Sequence, residues 1–164
     1  MRRRTMLSVC SALAAVTTLA ACGGDAPAEA PSDETPTEVP ASRKAPTVEV
    51  PEGNPPSELK IEDEIVGGGA EAKAGDTLKV HYVGVSWSTG EQFDASWERG
   101  EPLEFQVGSG MVIEGWDKGL QGMKVGGRRR ITIPPEMGYG SQGAGGVIGP
   151  NETLIFVCDL VAVN

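Results

Sequence analysis

Gly108-Ser109-Gly110-Met111-Val112-Ile113-Glu114-Gly115-Trp116-Asp117-Lys118-Gly119-Leu120 is the stretch that decides how this chain folds. Val112, Ile113, Trp116 and Leu120 recur at spacings of three and four. A short helix lays all four on one face and leaves Glu114, Asp117 and Lys118 in water. The Trp116 indole alone offers on the order of 150–250 Å² to bury, so that face needs a cover. The flanking segments read as strands, and a small sheet folded over this one helix is the simplest cover. Trp116 then forms the floor of whatever pocket the protein has.

Upstream, Leu59-Lys60-Ile61-Glu62-Asp63-Glu64-Ile65-Val66 roughly alternates apolar with polar until Gly67-Gly68-Gly69 breaks it. Leu78, Val80 and Tyr82 share one face of the next strand, with Lys79, His81 and Val83 on the other. Phe93-Asp94-Ala95 is extended between turns at 88–91 and 99–102, and residues 103–107 alternate again. Downstream, Gly126-Gly127 leads into Arg128-Arg129-Arg130-Ile131-Thr132-Ile133, which Pro134-Pro135 stops. A glycine-rich loop over 138–150 follows, and residues 154–161 close the sheet. Strands joined by turns, with no second helix of length, define an α+β domain with an antiparallel sheet.

The 164 residues hold one domain with sequence to spare at the N-terminus. Residues 1–21 carry three arginines, an apolar run and then small residues, the layout of a secretory signal peptide. Ser8, Ser11, Thr17 and Thr18 interrupt that run, which is too short and polar for a permanent span. Leu19-Ala20-Ala21-Cys22 resembles a bacterial lipobox, in which the peptide is cut before Cys22 and the Cys22 thiol carries lipid. An ordinary signal peptide containing a cysteine is the alternative. Arg3-Arg4-Thr5-Met6-Leu7 is similar to a twin-arginine signal, so both export routes stay open. Over 22–57, eight of the twelve prolines fall among Asp, Glu, Ala and Thr. That composition predicts a disordered tether, and it leaves 58–164 as the folded domain. The expected location is extracytoplasmic, anchored to a bacterial membrane through the N-terminal lipid only.

Loss of the signal takes the net charge from −9 to −12, which leaves no basic face for nucleic acid. Arg128-Arg129-Arg130 lies in a strand, where alternate side chains point to opposite faces. With Cys10 removed and Cys22 lipidated, Cys158 is alone, so no intramolecular disulfide forms. It reads as a small core residue.

The usual signs of covalent or metal chemistry are missing. His81 is the only histidine, and its strand neighbours offer no Ser or Cys at a motif-like position. One histidine and one buried thiol make no metal site. Gly143-Ala144-Gly145-Gly146 lacks the strand and helix context of a phosphate loop. Neither a cofactor nor a metal is expected. What remains is an apolar set with a few polar groups: Tyr82, Phe93, Asp94, Arg99, Phe105, Val112, Ile113, Trp116, Tyr139, Ile148 and Phe156. Taken singly, each reads as core.

Their order and spacing carry more. His81-Tyr82-Val83-Gly84, Phe93-Asp94-Ala95-Ser96, Val112-Ile113-Glu114-Gly115-Trp116, Gly138-Tyr139-Gly140 and Pro150-Asn151-Glu152-Thr153-Leu154-Ile155-Phe156 resemble the ordered motifs of the FKBP-type peptidyl-prolyl cis-trans isomerases. The resemblance covers 58–164 and implies a half-barrel sheet wrapped on the short helix with a hydrophobic cleft between them. It implies Trp116 under a substrate prolyl ring, walls from Tyr82, Phe93, Leu103, Val112, Ile148 and Phe156, and Phe105 beside them. It also implies substrate carbonyls held by the Ile113 N–H and the Tyr139 hydroxyl, and Asp94 bonded to Tyr82 and Arg99. Leu103 stands where the best-known eukaryotic member has an aromatic, Ala144 replaces a histidine, and Gly149 replaces a proline. These departures bear on macrolide affinity and sequence preference more than on the reaction.

The implied partners are proline-containing polypeptides, with a macrolide as a possible ligand and a monomer as the working form. An Xaa–Pro bond rotates against a barrier of about 18–20 kcal/mol, over roughly tens to hundreds of seconds when uncatalysed. Its twisted form is less polar than its planar form, so a dry pocket favours twisting without any acid or base. Two other classes remain: a membrane-tethered chaperone or binding module that uses the cleft with little turnover, and an envelope-structural lipoprotein.

Overall fold

The structure, a computed structural model, describes residues 43–164. The expected signal peptide, Cys22 and the tether as far as residue 42 lie outside the described residues. Six strands form one sheet: β1 (Lys60–Ile65), β2 (Thr77–Ser86), β3 (Gln92–Ala95), β4 (Leu103–Gln106), β5 (Arg128–Ile133) and β6 (Leu154–Val163). Every pairing is antiparallel, in the order β1-β5-β6-β2-β3. β4 shares the β2 edge with β3, pairing with Thr77 to Val80 while β3 pairs with Val83 to Val85. Between the two lies a single helical turn, α1 (Ser96–Arg99).

Alternation along β2 separates two apolar clusters. Leu78, Val80 and Tyr82 join Phe105, Trp116, Leu120, Ile131, Ile133, Phe156 and Cys158 in the main core. Val83 and Val85 face the other way and pack with Ala95. Cys158 is fully buried, as its reading as a core residue requires, and burial pushes its thiol pKa up.

The central helix α2 (Glu114–Gly119) lies under the sheet but is shorter than its apolar spacing implies. Ile113 is its extended N-cap (φ −60°, ψ 149°), and Leu120 closes it by donating to the Trp116 carbonyl at 3.0 Å. Val112, in a bend, and Ile113, in extended chain, therefore precede the helix rather than belonging to it. The cause is local. Gly108 and Gly110 turn the backbone at φ 78° and 74°, and both donate their N–H groups to the Asp117 carboxylate at 2.8 Å. At the other end Arg129, 7% exposed, donates to the carbonyls of Gly119 (2.8 Å) and Gln121 (2.9 Å) and pairs with Asp63. It thereby satisfies carbonyls that the helix cannot reach itself.

The tether expected to run free to residue 57 is bound over residues 43–50. Pro46, Val48 and Val50 are half-buried while Thr47 and Glu49 are exposed, the period of an extended segment. Val48 and Val50 pack on Val83, Val85, Ala95 and Trp97. Arg128 and Arg130, on the opposite side of β5 from Arg129, donate to the carbonyls of Lys44 (3.2 Å) and Glu49 (2.8 Å). Pro-rich composition hid a two-residue apolar alternation, and the carbonyls of the segment found donors on the sheet.

Gly115 sets the distance between α2 and β5: a Cβ there would lie 2.5 Å from Ile133 Cγ2. Gly115→Ala brings a helix-propensity gain of up to about 1 kcal/mol, set against an overpacking cost of about 1–3 kcal/mol or more. The variant is expected to unfold at lower urea than the wild type. An unchanged or raised midpoint would contradict the contact.

Candidate active site

Between α2 and the inner face of the sheet is a hollow of about 380 Å³. Its floor is the Trp116 indole, 3% exposed. The rings of Tyr82 and Phe156 stand edge-on to it, with centroids 5.0 and 5.2 Å away at 82° and 85°, an arrangement that suits the charge distribution of aromatic faces and edges. Phe93 continues the wall edge-on to Phe156 at 5.5 Å. Gly84 makes this possible, because a Cβ there would meet Phe93 Cζ at 2.6 Å and Phe156 Cε1 at 2.8 Å. Val112 and Ile113 form the opposite wall, and Leu103, Met111 and Tyr139 form an exposed rim. The indole Nε1–H is buried with no acceptor among the described residues, at a cost of about 1–3 kcal/mol.

One polar cluster borders the hollow. The Tyr82 hydroxyl donates to Asp94 Oδ2 at 2.5 Å and accepts from Arg99 Nη2 at 2.7 Å, while Arg99 Nη1 donates to Asp94 Oδ1 at 2.6 Å. Burial, reinforced by the Asp94 carboxylate, pushes the Tyr82 pKa up to about 12. Burial alone would raise Asp94, but the hydrogen bonds from Tyr82 and Arg99 and the charge of Arg99 outweigh it and hold the carboxyl below its usual value. Tyr139 is raised, mainly by burial and then by Asp94. The cluster is thus a neutral phenol between a fixed anion and a fixed cation, a scaffold with no proton to exchange near neutrality.

His81 has a partner that its strand neighbours concealed. Ser96 Oγ on α1 lies 2.9 Å from His81 Nδ1 and accepts the Tyr82 N–H at 2.8 Å. Ser96 is fully buried and the His81 ring stacks on Trp97 at 4.9 Å. The pair lies outside the hollow and fastens α1 to β2.

The family model described as FKBP-type peptidyl-prolyl cis-trans isomerase matches residues 68–161. This chain belongs to that family. Among FKBP-type relatives, the FK506-binding protein of Streptomyces anulatus is 62% identical over 74% of this chain and 99% of its own. The probable FK506-binding protein of Corynebacterium glutamicum is 50% identical over 71% and 97%. In solved structures the same fold recurs in the crystal structure of AtFKBP13 (40% identity, TM-score 0.61, covering 67% of this chain and 96% of that one). The crystal structure of FkpA from Escherichia coli is similar too (40%, TM-score 0.59, 65% and 48%). FKBP-type proteins are peptidyl-prolyl isomerases, and that is the enzyme class of this chain.

Of the residues read from the sequence, Tyr82, Phe93, Asp94, Leu103, Val112, Ile113, Trp116, Tyr139 and Phe156 line the FKBP-type hollow. Three do not. Phe105, 4% exposed, packs on the indole at 5.5 Å from within the core. Ile148 is turned into the core because its loop closes as a small hairpin, with Ala144 and Ile148 exchanging backbone hydrogen bonds at 3.0 Å in both directions. Arg99 acts on Tyr82 and Asp94 rather than bordering the space. Met111 also lines the rim, a residue outside the set read from the sequence, although its place just before Val112 in the lead-in marks it.

Asp94→Asn removes the charge that helps hold the Tyr82 proton, so ultraviolet titration should find Tyr82 ionising below about 12, toward its ordinary value near 10. The depressed Asp94 pKa also fixes the sign of a stability effect. Its contribution is present above the unfolded value of 3.8 and is lost as pH falls through the folded value, so wild type and variant should converge in stability at acid pH. A Tyr82 midpoint left in place would contradict the coupling.

Proposed function

We propose that this isomerase receives the prolyl ring of an Xaa–Pro segment on the Trp116 indole, between Tyr82, Phe93, Phe156 and the chain at Val112 and Ile113. The observation carrying this reading is the aromatic hollow itself. Its size suits a pyrrolidine ring with neighbouring backbone, and its polar groups keep one charge state across the neutral range. Tyr139 at the rim offers its hydroxyl to a substrate carbonyl, and the Ile113 N–H offers a second donor. Leaving water favours the less polar twisted amide, and the walls grip it in that form. Shortening about 100 s to about 10 ms is four decades, or roughly 5.4 kcal/mol, within the reach of desolvation combined with selective binding. No proton moves and no bond breaks.

The substrates are exported proteins and the enzyme works outside the cytoplasm, held at a bacterial membrane by lipid on Cys22. The basic and apolar layout of residues 1–21 and the lipobox-like Leu19-Ala20-Ala21-Cys22 support this. The names of the relatives support FK506 as a macrolide ligand of the same cleft, and the protein works as a monomer. A binding module with little turnover is the second reading, favoured by the exposed Leu103 at the rim.

Isomerisation of a short Xaa–Pro peptide by the full chain should be fast and nearly flat from about pH 6 to 8, because burial lowers the His81 pKa and His81 lies outside the hollow. Tyr139→Phe should lower the rate about fivefold, the value of one hydrogen bond of about 1 kcal/mol. The activity should sediment with membranes and become soluble in Cys22→Ser. A bell-shaped profile tracking a histidine would contradict the mechanism, and a cleft that binds peptide without accelerating it would favour the binding module.

A further inference from the structure

The α1 turn joins two places that the sheet otherwise keeps apart. On its cleft side, Arg99 holds the Tyr82 hydroxyl and Asp94, and Asp94 and Phe93 immediately precede the turn. On its outer side, Trp97 donates its Nε1–H to the Arg43 carbonyl at 3.1 Å. Trp97 also shares the outer apolar cluster with Val48, Val50 and Ala95. Ser96 ties the turn to β2 through Tyr82 N–H and His81.

The segment that Trp97 holds is itself fixed at several points. The Arg43 guanidinium donates to the Gly126 carbonyl at 3.3 Å and lies 3.6 Å from the buried Asp159 carboxylate. Arg128, bound to the same Asp159, donates to the Lys44 carbonyl, and Arg130 donates to the Glu49 carbonyl. Residues 43–50 thus form a strap across the outer face, anchored on β5 and β6 and touching the β3–α1 segment.

That segment needs support from outside. β3 is four residues long, lies at the end of the sheet order, and shifts register against β2 between Gly84 and Val85. The residues it carries toward the cleft, Phe93 and Asp94, must be held to a fraction of an ångström to keep the Tyr82 bonds short.

We propose that the strap of residues 43–50 is a positioning element for the isomerase cleft, acting through Trp97 and the α1 turn on Phe93, Asp94 and Arg99. This rests on the reading of Tyr82, Phe93 and Asp94 as cleft walls. None of the strap residues lines the hollow, so its influence passes through other side chains.

The test uses the full chain with two perturbations of the strap. The double variant Val48→Asp, Val50→Asp expels it from the outer cluster, and Trp97→Phe keeps a ring beside His81 while removing the donor to Arg43. Leu59→Ala, just ahead of the distant edge strand β1 and half-buried against the main core, is the control for destabilisation alone. Three quantities are read: melting temperature, kcat and KM on an Xaa–Pro peptide at about 15 °C, and the Tyr82 titration in a Tyr139→Phe background. Both strap variants should lose about two- to tenfold in kcat/KM and should ionise Tyr82 at lower pH. Leu59→Ala should shift only the melting temperature.

If the strap variants melt earlier yet keep the wild-type kcat/KM and Tyr82 titration, the strap is a structural brace and the proposal is overturned. Should the double variant fail to fold, Trp97→Phe decides on the same two readouts. An inactive wild type would overturn the reading of the cleft instead, and the Tyr82 titration would still decide the strap.

Discussion

The contact of α2 with β5 fixes the position of the indole on which everything else is arranged. Gly115 and Gly119, one helical turn apart, face Ile133 and Ile131, and a Cβ at either would fall within 3 Å of those side chains. The helix can therefore lie closer to the strand than side chains would ordinarily allow. Trp116, next to Gly115, is driven under the curve of the sheet, where burying about 150–250 Å² contributes roughly 4–6 kcal/mol. A helix of six residues has little stability of its own, so this contact and the Arg129 bonds to its last carbonyls maintain it.

From that fixed plane the cleft follows by packing. Tyr82 and Phe156 reach the indole edge-on from adjacent strands, and the missing side chain at Gly84 gives Phe93 and Phe156 room against the backbone. Asp117 holds the lead-in loop so that Val112 and Ile113 cross the open side ahead of the helix. The polar cluster of Tyr82, Asp94 and Arg99 is closed by three mutual hydrogen bonds, so it stiffens the wall without bringing reactive chemistry. Such a site distinguishes two shapes of one amide by solvation and fit.

Three successive arginines show how one strand serves both faces. Arg129 points to the helix, while Arg128 and Arg130 point away from it and take strap carbonyls. The alternation was legible in the sequence; the partners were not, because they lie more than sixty residues away for Asp63 and more than eighty for the strap. The sheet and the central indole could be read from apolar periodicity, and nine of the lining residues from what the resemblance of the ordered motifs to the FKBP-type family implied. The helix limits could not, since its start is set by two glycines and a carboxylate acting together. The resemblance put Ile148 in the cleft wall, whereas the hairpin closed between Ala144 and Ile148 turns it into the core. Ser96 escaped notice beside His81 because strand pairing brings together residues fifteen apart.

The central claim is that a prolyl ring lies on the Trp116 indole while its peptide bond turns. Exchange NMR on the full chain with an Xaa–Pro peptide in catalysed cis–trans exchange tests it directly. The prolyl ring protons should shift upfield in the complex and show cross-relaxation to the indole protons of Trp116, and to neither Trp87 nor Trp97. Catalysed exchange with prolyl protons unshifted and without contact to that indole would contradict the account.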